Sequence, residues 1–320
     1  MLLTEEQNAE IDAARAQVFQ TRRPTVPALE GILHRAFPVL DHGFVRVVDY
    51  MGDDTAVVQA ARVSFGRGTR RVNEDRGLIR YLMSHWHSTP FEMAEIKLHV
   101  KLPIFVARQW IRHRMASVNE YSARYSILDR EFYVPDPETL AGQSSTNRQG
   151  RGDALSAEEA SAVLSILRDD ANRNYDNYLW MLNEETPGKA ADPDRVGIAR
   201  ELARINLTLG SYTQWYWKID LHNLFGFLRL RVDKHAQYEI RAYAEVILDI
   251  VRTWVPHSHE AFQDYRMGAT SLSKGALEVV RRMIAGDAVT QENSGLPPRE
   301  WAELIEAVGP SPLSHSDDPS

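Results

Sequence analysis

Gln109-Trp110-Ile111-Arg112-His113-Arg114-Met115-Ala116-Ser117-Val118-Asn119-Glu120-Tyr121-Ser122-Ala123-Arg124-Tyr125 packs more polar chemistry together than any other part of this 320-residue chain. From Arg108 to Arg124, four arginines and one histidine face a single carboxylate, Glu120, in a protein of formal net charge -7. A compact cationic patch in an acidic chain points to a compact anionic ligand, because nucleic-acid binders spread positive charge over a whole face. Upstream, Ile96 to Leu102 alternates apolar and polar residues strictly, which predicts a half-buried strand. Pro103 then suits the first turn of a helix carrying Arg108, Gln109, Arg112 and His113, with Gln109 on the same face as Arg112 and His113. Phe105, Trp110 and Ile111 among them argue against a fully solvated basic face.

Beyond Ser117 the period changes to two. An extended segment would turn Glu120, Ser122 and Arg124 one way and Tyr121 and Tyr125 the other. An acceptor, a hydroxyl and a guanidinium on one side suit a sugar and a phosphate. Ser122 reads as a ligand contact, since no neighbouring histidine would activate it as a nucleophile.

Working outward, residues 4–19 predict an accessory helix capped by Thr4 with Gln7, and 20–42 an irregular connection. Phe44–Tyr50 reads as a strand, and Thr55–Val63 and Asn73–His87 as helices. Between those helices, Ser64-Phe65-Gly66-Arg67-Gly68 is either a backbone phosphate cradle or a plain surface loop. On the carboxyl side, Phe132–Val134 predicts a short strand and 141–154 a polar, glycine-rich loop that is mobile or a lid. Ser156 with Glu159 caps a long helix reaching Thr186. A further helix is predicted from Val196 to Lys218, its stripe made by Ile198, Leu202, Ile205 and Leu209. Arg204 lies beside that stripe, where an unpaired guanidinium would be costly, so an anion is expected to meet it. After the apolar run Leu221–Leu230, a helix capped by Asp233 is expected to reach Trp254. Two more helices flank Pro297-Pro298, and the last ten residues read as disordered. The sum is an α+β fold, a mixed or antiparallel sheet with long packed helices.

There is no cysteine, which excludes disulfides, thiolate metal sites and a thiol nucleophile. The pairs His85/His87 and His257/His259 fall in no metal-ligand pattern, so no metal is expected. No apolar run approaches the roughly 18 residues of a membrane span, and no basic region with an apolar run opens the chain. A cytoplasmic location and no membrane partner are expected.

The run Arg112-His113-Arg114-Met115-Ala116-Ser117-Val118-Asn119-Glu120-Tyr121-Ser122-Ala123-Arg124-Tyr125 matches, without a mismatch, the signature Arg-His-Arg-x-x-Ser-x-Asn-Glu-x-Ser-x-Arg-Tyr of the flavin-dependent thymidylate synthases. Ala60–Phe65, His87–Glu92, Pro103–Trp110 and Arg229–Ile240 resemble companion stretches of that family, and the likeness covers about residues 43–265. It implies an α+β homotetramer whose FAD-bearing sites lie between subunits. The implied reaction is reductive methylation of dUMP to dTMP, with 5,10-methylenetetrahydrofolate and NADPH as co-substrates. Carried over by motif, Gln109, Arg112, Glu120, Tyr121, Ser122, Arg124, Arg204 and Arg231 would hold dUMP. FAD would meet Ser64, His87, Thr89, Glu92, Arg112, His113, Arg114, Met115 and Asn119, with Asp220, His222, Gly226 and His235 as further contacts. At Asp220 and Gly226 the chain departs from the amide or imidazole that the likeness implies. Arg231, His87 and Ser122 are the expected catalytic residues, Arg231 stabilising negative charge on the uracil as hydride arrives. The resemblance divides the chain into an extension at 1–42, a catalytic domain at 43–265, and a helical extension with a disordered tail at 266–320. A non-catalytic nucleotide- or RNA-binding module is the alternative, opposed by the acidity and the missing basic stripe. A purely structural helical assembly would leave the polar residues clustered among aromatics unexplained. No nucleic-acid polymer is expected as partner.

Overall fold

The computed structural model describes residues 4–63, 72–144, 150–186 and 189–309. Its helices are α1 (Glu5–Ala16), α2 (Pro27–Glu30), α3 (Asp54–Val63), α4 (Val72–Ser84), α5 (Ile104–Trp110), α6 (Ala157–Leu182), α7 (Arg200–Ala203), α8 (Leu221–Arg231), α9 (Tyr238–Trp254), α10 (Pro256–Phe262), α11 (Lys274–Ile284), α12 (Gln291–Ser294) and α13 (Pro298–Val308). The strands are β1 (Phe37–Val39), β2 (Gly43–Met51), β3 (Glu95–Pro103), β4 (Ser117–Glu120), β5 (Ala141–Gln143), β6 (Arg151–Ala154), β7 (Glu184–Thr186), β8 (Lys189–Ala190) and β9 (Tyr212–Asp220). Five of them form one antiparallel sheet in the order β1-β2-β3-β9-β4, and β5-β6 and β7-β8 are separate hairpins. The fold is thus α+β with antiparallel sheets.

Strict alternation in β3 buries Ile96, Leu98 and Val100, and in β9 it buries Thr213, Trp215, Trp217 and Ile219. Trp110, fully buried at the end of α5, fixes the helices over that face. Its ring lies 4.7 Å from Phe227 of α8, 5.1 Å from Trp217 of β9 and 6.0 Å from Tyr243 of α9. Edge and tilted contacts at such separations are the favoured aromatic geometries. The cationic signature therefore leaves a rigid aromatic core on both sides of one tryptophan.

Two compact units divide at Phe262/Gln263. The second, considered alone, has its own small core of Ala276, Val279, Val289, Leu296 and Leu304, with Trp301 packed against it.

Several expectations from the sequence are overturned. The helix predicted from Val196 to Lys218 breaks after α7 and a 3-10 turn at Arg204–Asn206, and Tyr212–Asp220 is strand β9. Its supposed buried stripe faces outward, with Ile205 75% and Leu209 65% exposed. Burial of alternate residues from Thr213 onward overrides the earlier helical spacing. The helix opened by Pro103 stops at Trp110, because His113 N donates to Trp110 O at 2.9 Å and tightens the chain into a turn, so Arg112 and His113 lie beyond it. The extended segment ends at Glu120. Tyr125 N donates to Ser122 O at 3.0 Å, and Ser122 Oγ accepts from Arg124 N at 3.4 Å, so residues 122–125 turn. Phe132 makes a lone bridge to Ser211, not a strand. Asp233 does not cap α9, whose cap position is Gln237; it closes a local turn by accepting from His235 N at 2.8 Å. The stretch 141–154 contains the β5-β6 hairpin, and residues 20–42 contain α2 and β1.

Candidate functional site

Gln109, Arg112, His113 and Arg231 come together where the end of α5 meets the end of α8. Arg231 Nη2 donates to Gln109 O at 3.5 Å, a long contact. Burial, and then the neighbouring Arg112, pull the Arg231 guanidinium below its usual pKa. The His113 imidazole is also pulled down, first by burial and then by Arg231, with Asp220 opposing. Like charges are thus crowded beside an apolar core, and among the described residues neither Arg112 nor Arg231 forms an ion pair. That is the electrostatic signature of a site prepared for an anion.

A second group lies at the end of β4. Glu120 Oε1 accepts from Thr213 Oγ1 at 2.7 Å, so the buried threonine aims the carboxylate. Tyr121 N donates to Gln214 O at 2.8 Å. Glu120 and Tyr121 with Asn119 line a cavity of about 360 Å³, shared with Arg46, His99 and Tyr216 of the sheet and with Gln7, Glu10 and Ile11 of α1. Arg124 stands exposed, 3.5 Å from Glu201 at Nε. Arg204 is exposed one turn beyond Glu201, and Ser122 is half-buried in its turn.

A third group precedes β3. His87 and Thr89 are exposed, Glu92 is half-buried, and their segment is anchored by Phe91, whose ring lies 6.2 Å from Phe225 of α8. His222 is half-buried on α8. Arg114, Met115 and Asn119 are exposed. His235 is exposed, its Nδ1 2.9 Å from Asp233 Oδ1. Ser64 and the rest of the glycine-bearing loop lie outside the described residues.

Where the chain departs from the amide or imidazole implied by the resemblance, the geometry gives a reason at one position and none at the other. Asp220 caps α8: Asn223 N donates to its Oδ1 at 2.9 Å and Asn223 Nδ2 to its Oδ2 at 2.7 Å. Gly226 is exposed in mid-helix, and a Cβ there would meet only His113 Cε1, at 3.9 Å. Nothing described requires a glycine, which is a weak helix former.

Sequence reading missed Thr213, Gln237, Glu239 and Arg151. Gln109 Nε2 donates to Gln237 Oε1, and Gln237 Nε2 donates to Glu239 Oε2 at 2.8 Å. Glu239 is 3% exposed and also accepts at Oε1 from Arg151 and from Tyr133 Oη, the latter at 3.2 Å. A signal was present: Glu239 shares a helix stripe with Tyr243 and Ile247, where a carboxylate is tolerated only with partners.

The family described as thymidylate synthase complementing protein matches residues 46–257. The chain is 66% identical over 304 residues to a flavin-dependent thymidylate synthase of Gluconobacter oxydans (strain 621H), covering 95% of this chain and 97% of that relative. It is 63% identical over 309 residues to one of Ruegeria pomeroyi (strain ATCC 700808 / DSM 15171 / DSS-3), covering 97% and 100%. Among solved structures, it is similar to the UMP/dUMP methylase PolB from Streptomyces cacaoi bound with 5-Br UMP, with TM-score 0.62 and 32% identity over 72% of this chain and 97% of that one. A signature matched at every position, crowded cations beside a tryptophan core, and relatives of this closeness lead to one conclusion: the chain belongs to the flavin-dependent thymidylate synthase family.

Proposed function

We propose that this chain performs the family's methyl transfer on dUMP, giving dTMP, with FAD as cofactor and with NADPH and 5,10-methylenetetrahydrofolate as co-substrates. The observation that carries the reading is the half-buried Arg231 held against Arg112 and His113 with no counter-ion among the described residues. Arg231 donates to a uracil carbonyl oxygen and stabilises negative charge building on the ring. Arg112 adds a second cation at the same edge. Arg124 and Arg204 hold the phosphate, Arg124 exchanging its long pairing with Glu201 for a charge-assisted contact. Glu120, oriented by Thr213, accepts from the sugar hydroxyl, and Ser122, Tyr121 and Gln109 complete the nucleotide contacts.

The residues fit a flavin. His113 Nε2 is buried with no hydrogen-bond partner, and the surface beside it at Gly226 is open. Arg114 and Asn119 offer exposed donors to phosphate and carbonyl oxygens, with Ser64, His87, Thr89, Glu92, Met115, His222 and His235 as further contacts. When bound, the flavin supplies the hydride that a cysteine-free site needs for activating and reducing the pyrimidine. His87, exposed ahead of β3, is the further residue assigned to the catalytic set.

Exposed Met115, Tyr125, Ile205 and Leu209 around the site support assembly as a homotetramer with each site completed by a neighbouring copy. No described helix is long and apolar enough to cross a membrane, and the reading places the enzyme in the cytoplasm. The test is flavin absorbance of the purified protein together with dTMP formation. Turnover that needs dUMP, NADPH and the folate together supports the proposal. A colourless protein that takes up no flavin and forms no dTMP overturns it.

A further inference from the structure

Glu239, Gln237 and Gln109 form a chain of side chains from the protein interior to the nucleotide site, and its chemistry has a direction. A carboxylate only accepts hydrogen bonds, whereas a carboxamide has one accepting and one donating end. Glu239 is 3% exposed, and its Oε1 is taken by Arg151 and Tyr133. Burial, and then Glu239 itself, push the Tyr133 hydroxyl far up, so it stays a donor. The free end of Glu239, Oε2, therefore demands the NH2 of Gln237, at 2.8 Å. Gln237 must then turn its carbonyl to Gln109, and Gln109 must give its NH2 to Gln237. Gln109 is then left with its second N–H and with Oε1, its one acceptor, beside the donors Arg231 and Arg112.

Donor–acceptor–donor is complementary to the C=O, N–H, C=O edge of uracil. Cytosine presents a bare ring nitrogen where uracil has its N–H, so an outward carbonyl repels it. We propose that Glu239 is a positioning residue that fixes, through Gln237, which end of the Gln109 carboxamide faces the nucleotide, and so selects uracil over cytosine. This rests on the dUMP reading above. It also assigns work to the β5-β6 hairpin, whose Arg151 holds Glu239 and is itself held by donating from Nη1 to Thr139 O at 3.0 Å.

The experiment uses the full-length, flavin-loaded protein and measures equilibrium binding of dUMP, dCMP and 2′,3′-dideoxyuridine monophosphate. Gln237→Met cuts the chain at an exposed position that leaves the buried carboxylate intact. It is expected to lower the dUMP-to-dCMP preference by roughly three- to tenfold, the size of one neutral hydrogen bond. Glu239→Gln should do the same by reversal. Arg151 and Tyr133 keep the new carbonyl, its NH2 turns Gln237 around, and Gln109 ends with its NH2 outward. The double variant Glu239→Gln with Gln237→Glu restores the original direction and should restore the preference, a rescue that a merely structural role would not give. A preference unchanged in Gln237→Met, or not recovered in the double variant, overturns the inference. So does a loss that dUMP and dCMP share and the dideoxy nucleotide escapes, which would put the acceptor on the sugar hydroxyl. Wild-type protein that ignores dUMP would sink the parent reading along with it.

Discussion

Arg231→Met keeps an apolar stem and removes the guanidinium, its charge and its donors together. The structure separates the expected effects on stability and on activity. Arg231 makes one long hydrogen bond, 3.5 Å to Gln109 O, and it is desolvated beside Arg112. Deleting the guanidinium relieves its burial and its repulsion from Arg112 and gives up only that long bond, so the melting temperature should stay within about 2 °C of wild type or rise. Activity should fall steeply, because a preorganised donor aimed at developing negative charge is worth roughly 2.7–4 kcal/mol, about a hundred- to thousandfold in turnover. The assay pairs a thermal melt with single-turnover dTMP formation at saturating co-substrates, and flavin absorbance confirms that the cofactor stays bound. A third readout is internal. Arg231 helps lower the His113 pKa, so the variant's His113 resonance should titrate at higher pH than in the wild type. A melting point lowered by many degrees with turnover reduced only in proportion would show that Arg231 serves the fold and refute the reasoning.

Thr213→Val should weaken dUMP binding by about three- to tenfold while leaving flavin binding unchanged, because Glu120 loses the hydroxyl that orients it; calorimetric titration with each ligand checks this. Asp54→Ala should destabilise the protein by roughly 2–4 kcal/mol in denaturant unfolding, since it strips His257 N, Ser258 N and Ser258 Oγ of a buried shared acceptor. His99, between Arg46 and Gln214, has its pKa pushed down to about 4 by burial and then by Arg46. Its neutral form therefore favours the fold: the contribution is whole above the ordinary histidine pKa near 6.5 and is lost as pH falls toward about 4. His99→Gln should flatten the stability profile across that window relative to wild type, as read from urea midpoints.

The chemistry of the site was more legible in the sequence than its scaffold. Strand β3 and the capped ends of α1 and α6 announce themselves, because alternation and capping boxes are local signals. Strand β9 was hidden behind Ile198, Leu202, Ile205 and Leu209, whose helical spacing is genuine but whose side chains do not face the core of the chain. Spacing alone does not say what covers a stripe. Gln237 and Glu239 sat inside a quoted companion stretch, yet their link to Gln109 spans 128 residues and is visible only in three dimensions. Asp220 reads in sequence as a departure from the family and in structure as a helix cap.

Among the described residues strand β4 pairs with β9 and with no other strand, although about 100 residues separate their far ends. A ribosome adding roughly 5–20 residues per second reaches Asp220 about 5–20 s after Glu120. Throughout that interval β4 lacks the strand it pairs with, so a nascent chain must carry its cationic loop undocked until most of the enzyme has been made.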